Sequence, residues 1–309
     1  MKPWFMSQWV DRLRDLTPTA VSVRFDDEEA VRIERTIRNL VTHLPGHLFS
    51  EVDYLIIDRE LITKIIEKYS LKPIIEKCRR SLEESGILRF FSVFVPRFEH
   101  CSPKDVASML YEDIDLKVPG IVVHPYMNAY GFHIDAIDAG IILMLFSLRV
   151  LIMDNEDGYE RFRYIHLRPF KPSLDPEWRL FYIDNRLVGI SQYYTTLGNT
   201  VISLPYTEEQ VKTIARRLIE TGEKIRKVLA LGDYTIDIAG TTYPIYCGNH
   251  VRYRPFLVLD INPLYLEPKN NEETYLGLFT KHELEQNYRE GRVEMRYIEK
   301  GSVTTISPT

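Results

Sequence analysis

The chain has 309 residues, of which 45% are hydrophobic and 27% charged, and its formal net charge is −5 at pH 7. This length allows one large domain or two interlocked lobes, and the composition is typical of a globular protein. The mildly negative charge argues against whole-surface binding to nucleic acid or anionic lipid. Cys78, Cys101 and Cys247 are widely spaced and form no CxxC motif, which argues against a disulfide framework and a zinc site.

The compartment is predicted from the absence of targeting features. Residues 1–15 mix aromatic and charged side chains and lack the apolar segment of a signal peptide. The longest apolar run, Ala139 to Leu148, is too short to span a bilayer and is typical of a buried core segment. The cysteine pattern favours a reducing compartment. We therefore expect a cytoplasmic protein that contacts neither membrane nor nucleic acid directly.

The first half of the chain is predicted to be mainly helical. A helix from Asp26 to Leu44 begins with acidic residues, which the helix dipole favours. A second helical stretch runs from about Glu60 to Ser85, is interrupted near Pro73 and ends at Gly86. Further predictions are a strand at Leu88–Val95, a helix start at Ser102-Pro103-Asp105, a strand at Gly120–His124, and Asp135–Asp154 as a helix followed by a strand ending near Met153.

The second half is predicted to be rich in strands. Thr207 and Gln210 form a capping box at the start of a long helix that runs to about Ala230, and Asp184-Asn185 is a hairpin turn. The predicted strands are Tyr159–Arg168, Glu177–Ile183, Arg186–Gln192, Asp233–Ile238 and Phe256–Ile261, and a short helix covers Glu283–Arg289. Helices in the first half of the chain and antiparallel strands in the second half indicate an α+β fold. We expect two lobes, residues 1–165 and 166–309.

The strongest indication of chemistry is a set of oxygen ligands on two strands. Asp260 and Asn262 are two residues apart, so their side chains share one face of the strand that Pro263 ends. Asp237 lies on a second alternating strand. If these strands pair, three hard ligands converge, as Mg²⁺ bound to phosphate oxygens requires. The alternative is that Asp260 and Asn262 cap a turn.

Two further strands carry candidate phosphate and purine contacts. Glu177 and Arg179 share one strand face, and the fork of Arg179 matches phosphate oxygens. The alternative is a solvated face with a surface ion pair. Leu167 and Arg168 end a strand that can offer backbone groups to a purine edge. His166 is a candidate for acid–base work, although a lone strand histidine is more often structural.

A fourth segment combines a strand end with a helix start. Arg97 and Lys104 flank this start, and both cations and helix N-termini attract phosphate. The alternative is a capped core helix with both side chains solvated. The sequence contains no GxGxxG, GxxxxGK[ST] or GxSxG motif, so a nucleotide site needs another architecture and serine–histidine–aspartate catalysis is unsupported.

In this order the motifs resemble the cell division cycle protein 123 family. The segment at Arg97 is similar to that family's P-K-L-N-W-S-[SA]-P-[KR]-D-A motif, and the segment at Arg168 is similar to its L-R-x-W hinge. The family's hairpin, strand and tail motifs match Glu177–Phe181 with Leu187–Gln192, Thr235–Ile238, Leu259–Pro263 and Tyr275–Leu284, and its opening segment matches Ser7–Val10 more faintly. The resemblance covers nearly the whole chain.

The resemblance implies an ATP-grasp fold, with antiparallel sheets flanked by helices and a nucleotide cleft between two lobes. It also implies an assembly chaperone for translation initiation factor 2 that docks, as a monomer, on the gamma subunit. By matching position, Asp237, Asp260 and Asn262 bind magnesium and Arg179 approaches the phosphates of ATP. Arg168 and its neighbours His166 and Leu167 line the adenine hinge, and Arg97, Lys104 and Glu177 complete the nucleotide-binding set. No catalytic residue is assigned.

The sequence departs from the family at its two nucleotide-facing lysines. One is replaced by Arg97, and the segment Ile141–Arg149, which matches the other, contains no lysine. Two alternative functions therefore stand beside a nucleotide-binding chaperone. The first is an ATP-grasp carboxylate–amine ligase, whose chemistry needs cations around the transferred phosphate. The second is a docking protein of the same fold that binds no nucleotide.

Overall fold

The computed structural model describes residues 6–43, 55–99, 114–124, 129–152, 162–170, 176–193, 196–197, 200–229, 231–240, 243–264 and 275–308. Contacts group the chain into an N-terminal unit, Thr19–Pro172 with Tyr246–Val251, and a C-terminal unit, Met1–Pro18 with Ser173–Ile245 and Arg252–Thr309. The lobe boundary expected at residue 165 stays a prediction. Helices and antiparallel sheets occur together, which confirms the predicted α+β class.

The helices and strands are numbered in chain order. The helices are α1 (Met6–Trp9), α2 (Asp27–His43), α3 (Arg59–Lys68), α4 (Lys72–Ser85), α5 (Ile137–Ile152), α6 (Glu208–Leu229) and α7 (Lys281–Glu290). The strands are β1 (Val21–Arg24), β2 (Leu55–Asp58), β3 (Val93–Phe98), β4 (Ile114–Lys117), β5 (Ile121–His124), β6 (Ala129–His133), β7 (Tyr164–Pro169), β8 (Glu177–Ile183), β9 (Arg186–Gln192), β10 (Thr196–Leu197), β11 (Thr200–Val201), β12 (Tyr234–Ala239), β13 (Tyr243–Tyr246), β14 (Val251–Arg254), β15 (Val258–Pro263), β16 (Tyr275–Leu276), β17 (Phe279–Thr280), β18 (Glu294–Glu299) and β19 (Ser302–Ile306).

The N-terminal unit contains an antiparallel sheet in the order β1-β7-β3-β6-β5. Alternate residues of its strands, such as Val23, Phe94 and Ile165, are buried in an apolar core together with side chains from α2, α4 and α5. Because side chains alternate along a strand, the residues between them project to the opposite face. That opposite face carries His166 and Arg97.

Two sequence expectations in this unit are wrong. Asp135–Asp154 does not divide into a helix and a strand, because α5 is one continuous helix to Ile152. Apolarity on all sides is typical of a buried helix and hides the helical period. Leu88 does not begin a strand. Gly86 ends α4 in the left-handed region at φ 71°, and the chain makes another tight turn before β3.

Other expectations in the N-terminal unit are confirmed. The interruption near Pro73 falls between α3 and α4, and the proline lies in the first turn of α4, where its missing N–H costs nothing. The strand expected at Gly120–His124 is β5. The predicted helix start at Ser102-Pro103-Asp105 lies outside the described residues.

The C-terminal unit is built on a sheet in the order β15-β12-β8-β9-β18-β19, in which only β18 and β9 run parallel. The predicted hairpin of β8 and β9 has its expected bounds, and Asp184 and Asn185 both take positive φ angles, 51° and 58°. Two positive φ angles are the signature of the tight turn whose twist matches paired strands.

The capping box of Thr207 and Gln210 precedes α6 as predicted.

The two faces of this sheet differ in what covers them. The long helix α6 lies against one face, where Gly222 allows close approach to Tyr182 and Leu180. On the other face, α7 packs through Leu284 onto Phe181 and Phe279. Strand β18 and the edge strand β19 were not predicted, because polar residues make up much of both segments, EMRYIE and SVTTI. In the described part of the chain, no helix has the length and apolar character needed to cross a membrane.

Candidate functional site

The strands that carry the predicted metal ligands are direct neighbours in the C-terminal sheet. Strands β12 and β15 pair in antiparallel register, with Asp237 opposite Asp260 and Thr235 opposite Asn262. Residues that are directly opposite each other project from the same face, and so do residues two positions apart. Asp237, Asp260 and Asn262 therefore share one face of two adjacent strands.

The position of Asp260 does not fit the alternative in which it caps a turn. Asp260 lies inside β15, and its Oδ1 accepts a hydrogen bond of 2.9 Å from the backbone N–H of Ile261. As whole residues, Asp260 is 7% exposed and Asp237 is 2% exposed. Two carboxylates are thus buried side by side at the end of a sheet.

Arg179 provides positive charge beside these carboxylates. It lies on β8 directly opposite Asp237, on the side away from Asp260. Its Nε donates to Oδ1 of Asp237 at 2.7 Å and its Nη2 donates to Oδ2 at 2.9 Å. The guanidinium carbon also lies 4.0 Å from the centre of the Tyr193 ring. Burial alone would lower the pKa of Arg179, but the charge and hydrogen bonds of Asp237 raise the pKa above its usual range.

Glu177 and Arg179 do not form a solvated outer face. Glu177 is 5% exposed, and the ion pair of Arg179 is formed with Asp237 on the next strand. The surface interpretation of this strand is therefore wrong. The face that Glu177 and Arg179 share is the face that carries Asp237, because Ala239 and Asp237 are their cross-strand partners.

The polar row continues across the sheet to residues that α7 and its preceding turn cover. Ser191 is opposite Arg179, and Arg296 is opposite Ser191. The Ser191 hydroxyl accepts from the backbone N–H of Leu278, while Arg296 donates to the Leu278 carbonyl and pairs with Glu283 at 2.7 Å. These groups hold the tail of the chain. The candidate ligand-binding part of the row is therefore the part at Asp260, Asp237 and Arg179.

The donor set fits a divalent cation. Carboxylate and amide oxygens are the ligands that Mg²⁺ prefers. Like charges directly opposite each other on a sheet are destabilising, and a divalent cation would reduce the repulsion between Asp237 and Asp260. The described residues contain no cluster of three or more His, Cys, Asp or Glu side chains arranged for a metal. Asp237, Asp260 and Asn262 would therefore hold the ion with help from water or phosphate oxygens.

A second polar group lies on the N-terminal sheet. His166 on β7 is opposite Ser22 on β1 and opposite Arg97 on β3. Its Nδ1 lies 2.9 Å from the Ser22 hydroxyl and its Nε2 lies 3.3 Å from Oε2 of Glu99. Burial lowers the pKa of His166, and the hydrogen bond to Glu99 only partly opposes this. The imidazole is therefore neutral at pH 7, with Nε2–H donating to Glu99 and Nδ1 accepting from Ser22.

The remaining candidates in this unit have different environments. Arg97 is 3% exposed, so it is not the solvated surface cation of the alternative interpretation. The side chain of Leu167 belongs to the apolar core, so this residue could meet a ligand only through its backbone. The pairing of β1 with β7 stops at Leu167, so Arg168 lies in register with β3 alone. Lys104 lies outside the described residues.

Sequence reasoning missed three side chains in these groups. Tyr193 stacks on Arg179, Glu99 accepts from His166, and Ser22 donates to His166. Period-two alternation could have indicated Glu99, because it follows Arg97 by two positions, directly after the end of β3. Nothing local indicates Ser22, whose strand contacts β7 across a long sequence separation.

Comparison with known proteins gives a clear result for the fold. No protein-family model matches the sequence, and no curated protein matches it. The structure is similar to that of Cdc123 from Schizosaccharomyces pombe, with a TM-score of 0.52 and 17% identity over 92% of this chain and 90% of that chain. The C-terminally truncated form of the same protein gives a TM-score of 0.50 with the same identity and coverage.

An ATP-grasp protein is also similar over part of the chain. It is a RimK domain protein from Sphaerobacter thermophilus, with 17% identity over 60% of this chain and 58% of that chain and a TM-score of 0.23, which is too low to support an inference. The Cdc123 similarity is different, because it extends over almost the full length of both chains. It agrees with the resemblance that the ordered sequence motifs indicate. The chain therefore has the fold of Cdc123.

Proposed function

We propose that this protein binds ATP with Mg²⁺ and acts as an assembly chaperone for translation initiation factor 2. The observation that carries the proposal is the register of three charged residues, with Asp237 directly between Asp260 and Arg179 on adjacent strands. A buried pair of carboxylates beside a guanidinium is suited to a metal–phosphate ligand, since metal and arginine both neutralise phosphate charge. The Cdc123 fold supports the same proposal.

In the proposed complex, Mg²⁺ neutralises phosphate charge, and Asp237, Asp260 and Asn262 are its ligands. Arg179 provides forked donors to phosphate oxygens, which a lysine could not reproduce. Arg97, His166 and the backbone near Arg168 are further proposed contacts of the nucleotide. His166 is a neutral group fixed by its hydrogen bonds to Ser22 and Glu99, because burial lowers its pKa.

The nucleotide part is tested by isothermal titration of the purified chain with ATP and MgCl₂. We expect saturable binding that Asp260→Asn weakens by tenfold or more, about 1.4 kcal/mol for each tenfold change. Glu299→Gln is the matched control, because Glu299 is an acidic residue on the same sheet, at the end of β18 and outside the proposed site. No binding to the unmodified chain, or an equal loss in both variants, would contradict the proposal.

The chaperone part is tested separately with the purified gamma subunit of translation initiation factor 2. We propose a complex of the two proteins, in the cytoplasm, that promotes addition of the other subunits. The measurement is the yield of the heterotrimer from separate subunits with and without this chain. An unchanged yield would contradict the chaperone role and leave ATP binding intact. Steady release of ADP on addition of a carboxylic acid and an amine would instead favour the ligase alternative.

A further inference from the structure

Asp237 uses both of its carboxylate oxygens to hold Arg179. Nε donates to Oδ1 at 2.7 Å and Nη2 donates to Oδ2 at 2.9 Å, so the pair is bidentate. A cation that binds Asp237 must therefore share these oxygens with a guanidinium or replace it. Sharing places two positive groups within a few ångströms of each other in a buried region, where charges are poorly screened.

The charge of the site changes with the position of Arg179. Asp237 and Asp260 lie opposite each other, and Arg179 in its observed position adds a positive charge beside them and occupies both oxygens of Asp237. Withdrawal of the guanidinium removes that positive charge and leaves the oxygens of Asp237 to a divalent ion. The same residue thus determines whether the strand pair suits a divalent cation.

Arg179 has a second surface to support it when it leaves the carboxylate. Its guanidinium carbon lies 4.0 Å from the centre of the Tyr193 ring, an arrangement in which the flat group stacks on the aromatic face. The side chain remains 17% exposed, so one side of it is open to a ligand. A guanidinium released from a carboxylate offers the same fork of donors to phosphate oxygens.

We propose that Arg179 and a divalent cation compete for Asp237, and that binding of the cation transfers the guanidinium from the carboxylate to the phosphates of the nucleotide. This proposal rests on the proposed nucleotide function and adds a coupling to it. Metal binding makes the arginine available to phosphate, and phosphate binding makes the carboxylate available to metal. Coupling of this kind is reciprocal, so each ligand tightens the binding of the other.

The test measures Mg²⁺ affinity without nucleotide, by isothermal titration of the full chain and three variants. Arg179→Ala removes the competitor, so we expect Mg²⁺ alone to bind about tenfold more tightly, which corresponds to about 1.4 kcal/mol. The same variant should bind ATP with Mg²⁺ more weakly, because the phosphates lose their forked donor. Tighter binding of Mg²⁺ together with weaker binding of ATP in one variant is a combination that general unfolding would not produce.

Two other variants serve as a control and a safeguard. Arg186→Ala removes one positive charge from an exposed position on the same sheet, so it corrects for long-range electrostatics, and we expect a change of no more than about twofold. Arg179→Lys keeps the charge and loses the fork, so it should give an intermediate Mg²⁺ affinity. If circular dichroism shows that Arg179→Ala does not fold, the Mg²⁺ affinity of Arg179→Lys tests the competition instead.

The outcomes separate this inference from the proposed function. The inference is overturned if Mg²⁺ alone binds the Arg179 variants no more tightly than Arg186→Ala while the unmodified chain binds ATP with Mg²⁺. In that case the nucleotide function stands and Arg179 is only a fixed structural partner of Asp237. Failure of the unmodified chain to bind ATP with Mg²⁺ overturns both proposals.

Discussion

Arg179 and Asp237 lie directly opposite each other on adjacent strands and form a bidentate ion pair at 2.7 and 2.9 Å. The side chain of Asp237 is 3% exposed and that of Arg179 is 17% exposed. The pair therefore links β8 and β12 through two largely buried side chains. This relationship has a consequence for stability that does not depend on any ligand.

Removing one partner of the pair should destabilise the protein more than removing both. Asp237→Leu leaves a largely buried guanidinium without its carboxylate, and we expect a loss of about 3 kcal/mol in the free energy of unfolding. The double variant Asp237→Leu with Arg179→Met replaces both charges by apolar groups and should lose less. Urea denaturation at pH 7 measures the free energies. A double variant that loses the sum of both single losses would contradict this expectation.

The lowered pKa of His166 predicts a stability change below pH 6.5. The folded imidazole resists protonation, so the unfolded chain binds more protons once the pH falls below the ordinary histidine value of 6.5. Protonation of His166 therefore does not affect the free energy of unfolding above that pH. It destabilises the fold as the pH falls from 6.5 towards the lowered pKa. Its slope is at most about 1.4 kcal/mol per pH unit.

The measurement for His166 is the free energy of unfolding as a function of pH, compared between the unmodified chain and His166→Gln. Glutamine can still donate to Glu99 and accept from Ser22, but it does not titrate. We expect the stability difference between the two proteins to change below pH 6.5 in favour of the variant. Parallel curves between pH 5 and 8 would show that His166 is protonated equally in both states.

Gly222 is required where α6 approaches the sheet most closely. An added Cβ would overlap the Tyr182 hydroxyl and lie 2.8 Å from Cδ2 of Leu180. Gly222→Ala should therefore destabilise the fold by about 1–3 kcal/mol through overpacking, despite the better helix propensity of alanine. Thermal and urea denaturation measure this loss.

Tyr182 offers a direct check on the cause of that loss. Its hydroxyl is buried and has no hydrogen-bond partner among the residues that the structure describes. Tyr182→Phe should thus be neutral or slightly stabilising, because it removes an unsatisfied polar group. It should also restore part of the stability lost in Gly222→Ala, since it removes the overlapping atom. Strict additivity of the two changes would exclude direct contact as the cause.

Asn287 connects α7 to an irregular position in the sheet. Its amide donates to the Val188 carbonyl at 3.1 Å, and its Oδ1 accepts from Nε of Arg292 at 2.7 Å. The side chain is fully buried, so Asn287→Leu should cost about 1–3 kcal/mol by leaving the carbonyl of Val188 without its donor. Hydrogen exchange should show faster opening of residues 281–290. Gln286→Leu, at an exposed neighbouring contact, is the control.

Local sequence determined several features of this protein. Both strands of the β8–β9 hairpin and its Asp184-Asn185 turn follow from alternation and turn chemistry, which depend on neighbouring residues. The start of α6 follows from the capping box of Thr207 and Gln210 for the same reason. The shared face of Asp260 and Asn262 follows from the period of a strand. The ordered motifs also indicated the fold to which the structure is similar.

Tertiary structure decided the remaining features, because they depend on pairing between distant segments. Only the sheet order places Asp237 between Asp260 and Arg179, and a shift of one residue in either register would turn the carboxylate to the opposite face. The contact of Ser22 with His166 also depends on the register of two paired strands, β1 and β7. The helical state of α5 was also decided by burial, since its apolar run fits a strand or a helix equally well. Periodicity depends on neighbouring residues and can therefore be read from the sequence. The register of paired strands depends on the free-energy difference between alternative pairings of distant segments.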